Sequence, residues 1–377
     1  MGTPERPTIF LAAGEPSGDL HGAGLARALR ARIPGVRLVG LGGARMAAER
    51  VELLAGLDEL SVMGFAEVLA HLPFFLRLRR RVFDALVSER VDLVIPIDYP
   101  GFNLRLARRA KEQRIPVLYY IAPQVWAWHA SRASDLARDT DRVAVILPFE
   151  EGFLREHGAD ARFVGHPLLD VAPPPGERAE WLTTQGLDPE RPVLALFPGS
   201  RAQEIRRHLD LFSRAAAEIV HRRPEVQPVI GAAADLDAGL FGGAAWPVSR
   251  DSRALLHHAT AALVKSGTTT LEAALARTPF AVVYRMNPLS YQLARRVVKV
   301  PHIALANLVA DERLAPEFVQ HEATEEALTG ALLPLLEANS TARAAMLGGF
   351  DRIRERLGGG GAAERVAEQA AELLGGR

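Results

Sequence analysis

Two stretches of the sequence share one design. Leu194-Ala195-Leu196-Phe197-Pro198-Gly199-Ser200-Arg201 ends an apolar run at a proline and a glycine, and a helical pattern follows. Ala262-Leu263-Val264-Lys265-Ser266-Gly267-Thr268-Thr269-Thr270-Leu271-Glu272 does the same. Both are predicted to be strand-to-helix turns, in which free backbone N–H groups and the positive end of a helix dipole face one point. The sequence therefore predicts that each turn contributes to binding an anion.

The side chains at these turns indicate which anion is bound. Arg201 offers a charge-assisted donor, and Ser200 and Thr268 offer hydroxyl groups beside the Gly267 backbone. Glu272 lies one helical turn further on, where a carboxylate can accept hydrogen bonds from a ribose diol. A pyrophosphate with a ribose is a nucleotide diphosphate, so we expect these residues to bind one.

Short apolar runs alternate with helical periods on both sides of these turns. The predicted strands are Thr8–Ala13, Val36–Gly40, Val91–Ile97, Pro116–Ile121, Arg142–Leu147, Arg162–Val164, Val193–Phe197, Val229–Ala233, Ala262–Val264 and Phe280–Tyr284. This alternation predicts an α/β fold with two Rossmann-like, doubly wound domains. The proline run at residues 172–176 marks the boundary between the domains. We expect domains at residues 1–172 and 177–322, and a helical tail at 323–377 that crosses back to the first domain or to a second subunit.

Composition excludes several functional classes. The 45 basic and 45 acidic side chains of the 377 residues cancel, so no overall charge attracts nucleic acid. The chain has no cysteine, which rules out disulfides and thiol catalysis. No signal peptide is expected at the N-terminus, and no apolar run approaches the roughly 18 residues of a membrane span. We therefore expect a soluble or peripheral protein.

A glycine-rich turn follows the first predicted strand, as Gly14-Glu15-Pro16-Ser17-Gly18-Asp19. Its spacing differs from the G-x-G-x-x-G fingerprint of dinucleotide-binding proteins, and the second strand ends without the acidic residue that such proteins use. Gly14, Ser17 and Gly18 are candidates for a backbone cradle that lets a polar substrate approach. The alternative is that the glycines serve tight turning and packing of helix on sheet.

Asp98 closes an apolar run at Val91–Ile97, and a turn follows it. Ligands of open α/β sheets lie beyond the carboxyl ends of the strands, so this carboxylate is expected to reach the binding crevice and act as a general base. The alternative is that Asp98 caps the helix that begins near Phe102.

The remaining polar motifs argue against a metal. Neither His129, His166 nor the pair His257-His258 has the spacing of a metal site such as H-E-x-x-H. Asp235-Leu236-Asp237 has the form of a cation-binding Asp-x-Asp, but loop solvation or helix capping explains it better. Two tryptophans in the segment 122–129 suit sugar rings, acyl chains or a core equally.

Residues 65–86 combine an apolar helical face with a basic cluster. This pattern is typical of a helix that lies on a membrane surface, although a buried helix with a solvated end would show it too. The candidate membrane-contact residues are Phe65, Val68, Leu69, Leu72, Phe75, Leu76, Arg77, Arg79, Arg80 and Arg81.

Taken together, the motifs resemble those of the lipid-A-disaccharide synthases nearly end to end. The motifs that carry the resemblance are Gly14–Asp19, Val62–Glu67, Ile97–Asn103, Ala122–Trp128, Phe163–Pro167, Leu196–Arg201, Lys265–Thr268 and Leu305–Leu308. The resemblance adds Gln124 and Asn307, which lie in these motifs, to the candidate substrate-binding residues.

The resemblance implies the two-domain GT-B glycosyltransferase architecture, with the domains facing a cleft. It implies an inverting transfer of 2,3-diacylglucosamine from UDP to the 6-hydroxyl of 2,3-diacylglucosamine 1-phosphate, which gives a β(1→6) disaccharide and UDP. It also implies a cytoplasmic enzyme, peripheral on the inner membrane of a Gram-negative bacterium, that uses no cofactor or metal. Asp98 and Arg201 are the expected catalytic residues, and a homodimer through the C-terminal tail is possible.

Three rival functions fit parts of the same pattern. A UDP-N-acetylglucosamine 2-epimerase would share the fold and the nucleotide site, but it has no need of an apolar and basic surface helix. A transferase acting on a polyprenyl-linked sugar is a second rival. A nucleotide-sugar binding protein without catalysis is the third, and Asp98 argues against it.

Overall fold

The chain forms two parallel β-sheets flanked by helices. A computed structural model describes residues 6–60, 72–128, 131–174, 176–233, 236–287, 291–292 and 300–376. The strands are β1 Thr8–Ala13, β2 Arg37–Gly42, β3 Glu52–Gly56, β4 Leu93–Ile97, β5 Leu118–Tyr120, β6 Arg142–Val145, β7 Ala161–Phe163, β8 Val193–Phe197, β9 Gln227–Gly231, β10 Val248–Ser249, β11 Ala261–Lys265, β12 Phe280–Tyr284 and β13 Glu317–Val319.

Most connections between these strands contain an α-helix. The described helices are α1 Pro16–Arg32, α2 Ala44–Ala48, α3 Leu57–Leu60, α4 Leu72–Ser88, α5 Pro100–Glu112, α6 Val125–Trp128, α7 Ser131–Asp139, α8 Pro148–Glu156, α9 Arg178–Thr184, α10 Ala202–Arg222, α11 Ser252–His258, α12 Thr269–Leu275, α13 Leu305–Ala310, α14 Glu325–Leu336, α15 Thr341–Arg356 and α16 Ala362–Gly375.

Both sheets have the strand order of a Rossmann fold. The first runs β3-β2-β1-β4-β5-β6-β7 and the second runs β10-β9-β8-β11-β12-β13. In each sheet the chain first adds strands on one side of the starting strand and then crosses to the other side. This reversal lies between β1 and β4 in the first sheet and between β8 and β11 in the second. Such a switch point leaves a crevice beyond the carboxyl ends of the two strands. The predicted fold class is confirmed.

The chain divides into two compact units. Unit 1 contains the residues up to Asp170 together with Gly358–Arg377, and unit 2 contains Val171–Leu357. Of the helices in the predicted C-terminal tail, α14 and α15 therefore belong to unit 2 and α16 belongs to unit 1.

Alternation along β1 explains why the first sheet is covered on both faces. Ile9 and Leu11 pack with α1 and α16 on one face, in one continuous apolar cluster. Phe10 and Ala12 pack with α4 and α5 on the other. Successive side chains of a strand point to opposite faces, so a fully apolar strand requires helices on both sides.

The C-terminal helix α16 completes the core of unit 1. Val366 and Leu374 are fully buried in the cluster that contains Leu25 and Leu29 of α1. The Asp170 carboxylate accepts hydrogen bonds from the backbone N–H groups of Gly361, at 2.5 Å, and Ala362, at 3.1 Å. A carboxylate at a helix N-terminus satisfies free donors and opposes the helix dipole, so Asp170 anchors the start of α16.

Val366→Ala is expected to destabilise unit 1 by about 2 kcal/mol, because it removes two buried methyl groups and leaves a cavity. Val87→Ala is the matched control, since this valine is 63% exposed on α4 of the same unit. Denaturant unfolding followed by circular dichroism measures both changes. Equal stability of the two variants would show that α16 does not contribute to the core.

Candidate active site

The two turns that resemble each other in sequence lie side by side in unit 2. Strands β8 and β11 are hydrogen-bonded neighbours, and Phe197 at the end of β8 pairs with Val264. The turns follow these strands at the switch point of the second sheet. The structure therefore brings Ser200 and Arg201, at the start of α10, to the same edge as Gly267 and Thr268.

Gly199 gives the first turn its shape. Its φ of +143° is one that residues with side chains rarely adopt, and a Cβ added there would lie only 2.4 Å from the Cβ of Glu204. The absence of a side chain lets Glu204, in the first turn of α10, fold back over the turn. Ser200 and Arg201 themselves are exposed.

Glu204 joins the two turns. Its carboxylate accepts a hydrogen bond from the Ser200 backbone N–H at 2.9 Å, and it pairs with the Lys265 ammonium at 2.8 Å. Burial alone would raise the pKa of Glu204, but Lys265, the Ser200 N–H and Arg201 outweigh it and hold the pKa below its ordinary value. The carboxylate is therefore charged at neutral pH.

Glu272 lies on α12, one turn beyond Thr268. Its backbone N–H bonds the Thr268 carbonyl at 3.1 Å. Burial raises the pKa of its carboxyl, against the opposing effects of Arg253 and a hydrogen bond from Thr269. Its contact with a ribose remains a prediction.

The structure gives Asn307 a bracing role inside unit 2. The side chain is fully buried and donates to the Ala315 carbonyl and to Glu317, both at 2.9 Å. Its carbonyl oxygen accepts from the Ala315 N–H at 2.9 Å. These bonds hold the loop after α13 in place. The contact of Asn307 with substrate remains a prediction.

Asp98 directly follows β4 at the switch point of the first sheet. Asp98 and Tyr99 both have left-handed backbone angles, with φ of +48° and +50°. Two consecutive non-glycine residues in this region are rare, and each costs on the order of 1 kcal/mol or more. The surrounding structure must hold them there, which is typical of a functional turn.

Asn103 and Tyr119 hold the strained turn. Asn103 donates to the Asp98 carbonyl at 2.7 Å and also to Ala12 and Ile97, so one buried amide ties the ends of β1 and β4 together. The Tyr119 hydroxyl donates to the same Asp98 carbonyl at 2.8 Å. The sequence singled out neither residue. Asn103 was visible only as part of a motif, and Tyr119 as an unremarkable strand residue.

A buried carboxyl lies within electrostatic reach of Asp98. Glu150, at the start of α8, accepts hydrogen bonds from the Trp126 indole and from the Leu147 backbone N–H, both at 3.0 Å. Burial raises the pKa of Glu150 to about 7, and the negative charge of Asp98 adds to the increase. Sequence reasoning missed Glu150, because a glutamate in the first turn of a helix is ordinarily an exposed cap.

Packing explains the glycines of the first turn in unit 1. A Cβ on Gly14 would collide with the Tyr99 ring at 2.3 Å, and one on Gly18 would lie 3.2 Å from the Ala13 Cβ. The close-packing alternative therefore accounts for both positions. Ser17 and Gln124 are exposed, and their contact with substrate remains a prediction.

The described residues contain no cluster of three metal-ligating side chains. His166 is buried, its Nδ1 accepts from the Leu168 N–H at 3.2 Å, and burial next to His21 lowers its pKa to about 3. Asp237 caps a short 3₁₀ turn through the Gly239 N–H at 2.6 Å, as the capping alternative expects. Asp235 and His129 lie outside the described residues.

The predicted membrane helix is described only in its second half. Phe65, Val68 and Leu69 lie outside the described residues, and the side chains of Leu72 and Phe75 are not described. Leu78 and Val82 of α4 pack into the core of unit 1. On the outward side, Leu76 is 46% exposed, and Arg77, Arg80 and Arg81 are exposed while Arg79 is half-buried.

Comparisons with known proteins decide the family. The family described as lipid-A-disaccharide synthetase matches residues 9–357. The chain is 43% identical to the lipid-A-disaccharide synthase of Acidobacterium capsulatum, over 98% of this chain and 96% of that one, and 41% identical to that of Myxococcus xanthus, over 98% of each. The chain belongs to this family. It is a glycosyltransferase.

Solved structures show the same fold at low sequence identity. The glycotransferase of kitacinnamycin has a TM-score of 0.64 at 16% identity, covering 98% of this chain and all of that one. The calicheamicin glycosyltransferase has a TM-score of 0.60 at 19% identity and 98% coverage of both. A UDP-GlcNAc 2-epimerase from Neisseria meningitidis, bound to UDP-GlcNAc, has a TM-score of 0.62 at 11% identity, covering 98% of this chain and 99% of that one. At such identity the epimerase shares the fold alone.

The raised pKa of Glu150 predicts how stability depends on pH. The folded state keeps a proton on Glu150 between its ordinary pKa of 4.5 and about 7, whereas the unfolded state loses it. The contribution of Glu150 to stability is therefore full below pH 4.5 and declines as pH rises through 7. Glu150→Gln removes the decline, so its stability relative to the native chain should improve by about 3 kcal/mol from pH 4.5 to 8.

Urea unfolding at a series of pH values measures this relative stability. Glu151→Gln is the control, because Glu151 lies on the same helix but is 31% exposed and paired with Arg155 at 2.7 Å. A relative stability of the Glu150 variant that does not change with pH would contradict the raised pKa.

Proposed function

We propose that the two sheet edges divide the substrates of one sugar transfer. The turns after β8 and β11 hold UDP-2,3-diacylglucosamine, and the edge that carries Asp98 receives 2,3-diacylglucosamine 1-phosphate. The observation that carries the proposal is the strained, braced Asp98 turn at one switch point, in a chain whose other switch point has the Ser200-Arg201 and Gly267-Thr268 turns.

Asp98 is the proposed general base. It accepts the proton of the acceptor 6-hydroxyl as that oxygen forms its bond to the anomeric carbon of the donor sugar. The bond from this carbon to the UDP oxygen breaks at the same time, and its electron pair leaves with UDP. Attack from the face opposite UDP gives the β(1→6) linkage. The braced backbone of Asp98 limits where its carboxylate can lie, and such a proton transfer requires a defined position.

The nucleotide is assigned to unit 2 because donors for an anion collect there. The 21-residue helix α10 begins at Ala202 with Arg201 as its N-cap residue, so its N-terminal N–H groups and the Arg201 guanidinium act on the pyrophosphate together with the Ser200 hydroxyl. Preorganised donors of this kind stabilise a leaving anion without a metal. Glu272 is proposed to bind the ribose, and Thr268 and the Gly267 backbone to complete the phosphate contacts.

Asp98→Asn is expected to lower kcat by at least about 10²-fold while leaving the fold intact, because asparagine keeps the shape but cannot take the proton. The assay incubates the enzyme with UDP-2,3-diacylglucosamine and radiolabelled acceptor and separates the lipids by thin-layer chromatography. Asp92→Asn is the control for the loss of a carboxylate near the same strand. Asp92 lies just before β4, at the end opposite Asp98, and accepts a hydrogen bond from the Thr8 N–H at 2.9 Å. Normal turnover by the Asp98 variant would remove it as the base.

The outward side of α4 is the proposed membrane contact. None of the helices in the described ranges is long and apolar enough to cross a bilayer. The acyl chains of both proposed substrates reside in a membrane, so a peripheral enzyme must reach its surface. Arg77, Arg80 and Arg81 project outward beside the exposed Leu76, and each can contribute about 1 kcal/mol on anionic lipid. We propose a location on the cytoplasmic side of the inner membrane.

Replacing Arg77, Arg80 and Arg81 by glutamine should release the protein from vesicles containing anionic lipid, since the attraction is electrostatic. Sedimentation with vesicles measures binding. The matched control replaces the exposed Arg45, Arg90 and Arg105 of the same unit. Equal loss from both triple variants would indicate only a general charge effect, and unaltered binding by the first would exclude this surface.

A homodimer through the C-terminal tail remains a prediction. The apolar side of α16 is already buried against α1 of its own unit. A second subunit would therefore have to contact the other faces of this helix, or α14 and α15.

A further inference from the structure

Lys265 lies where the two turns of unit 2 meet, and the function proposed above gives it no role. It is the last residue of β11 and stands directly before Ser266 and Gly267. Its ammonium is 2.8 Å from the Glu204 carboxylate at the start of α10, so the ion pair spans the gap between β8 and β11. The side chains are mostly enclosed, with 21% of Lys265 and 16% of Glu204 exposed.

Positive groups gather at this edge. Arg201 and Lys265 carry one positive charge each, and the N-terminus of α10 adds the equivalent of about half a charge. Glu204 pairs with Lys265, and it is charged because Lys265, the Ser200 N–H and Arg201 hold its pKa low despite burial. This gathering of positive groups around the turns favours binding of an anion.

The geometry of Lys265 leaves it able to bind that anion. An ammonium has three N–H donors, and the contact with Glu204 uses one. The nitrogen lies 3.9 Å from the point where a Cβ of Gly267 would be. Since Gly267 has no side chain, the ammonium lies over open backbone at the turn that is expected to touch the phosphates.

A buried histidine holds the backbone of Glu204 in place. His208, one turn further along α10, is buried, and its Nδ1 lies 2.8 Å from the Glu204 carbonyl. Its Nε2 accepts a hydrogen bond from the Arg285 backbone N–H at 3.3 Å. The first turn of α10 is thus tied to the end of β12, which fixes the carboxylate and with it the ammonium.

We propose that Lys265 binds the pyrophosphate of the donor nucleotide and stabilises the negative charge that stays on UDP when the bond to the sugar breaks. Glu204 holds the ammonium between the two turns. This inference rests on the proposed nucleotide site in unit 2. It adds a catalytic residue that the sequence reasoning left out.

The test compares the binding of UDP, UMP and uridine by isothermal titration calorimetry. Lys265→Met keeps the length of the side chain and removes its charge. It should weaken the binding of UDP by about tenfold or more and the binding of UMP less. The affinity for uridine should stay within about twofold, because only the phosphates interact with the ammonium. In the transfer assay kcat should fall by about 10²-fold.

Lys111→Met is the matched control. Lys111 pairs with Asp141 at 2.6 Å, the side chains are 33% and 30% exposed, and Asp141 also accepts a backbone N–H, from Val117 at 2.8 Å. The pair thus reproduces the Lys265–Glu204 arrangement in unit 1. This variant should bind all three probes as the native chain does.

The outcomes separate the two proposals. If the native chain does not bind UDP, the nucleotide site of the proposed function is wrong. If the native chain binds UDP and Lys265→Met binds it equally well, Lys265 does not contact the pyrophosphate. Equal weakening of UDP and uridine would show that the substitution only disturbs the fold of the turn, and would also overturn the inference.

Discussion

The pairing of strands at the two switch points is the constraint on which the functional arrangement depends. Residues that follow β1 and β4, or β8 and β11, are far apart in sequence and become neighbours only because those strands hydrogen-bond in parallel. Parallel pairing also directs all carboxyl ends of one sheet to the same edge. Every proposed reacting group therefore lies at a carboxyl edge.

The two edges position their charged groups by different means. In unit 1 the backbone of Asp98 and Tyr99 is strained, and the Asn103 amide and Tyr119 hydroxyl hold it. In unit 2 Gly199 adopts the turn without strain, and the ion pair between Lys265 and Glu204 links the two turns. The difference suits the roles proposed, since a base needs one fixed carboxylate and a diphosphate needs several converging donors.

Much of the fold could be predicted because the apolar runs are long and glycine or proline ends them. Thr8–Ala13, Val193–Phe197 and Phe280–Tyr284 are strands with the predicted bounds. Three short strands were not predicted, β3, β10 and β13. Each lies at the edge of its sheet, where a strand pairs with a neighbour on one side only and fewer of its residues need to be apolar.

The site was predictable where its signal was local. Turns such as Ser200-Arg201 are read directly from neighbouring residues. Glu150, Tyr119 and Glu204 were missed because their roles come from partners on other elements, such as Trp126, the Asp98 carbonyl and Lys265. The bracing role of Asn307 was missed for the same reason, since nothing in its sequence neighbourhood shows that its amide bonds Ala315 and Glu317.

Because α16 belongs to unit 1 but follows unit 2 in the chain, the two units can complete their folds at different times during synthesis. Unit 2 is continuous from Val171 to Leu357, so all of its contacts are available once that segment has been synthesised. The core of unit 1 joins Leu25 to Val366 and Leu374 and cannot close until α16 has left the ribosome. The earlier-synthesised unit is thus the later one to be completed, and through that interval the apolar side of α1 stays uncovered where a chaperone can bind it.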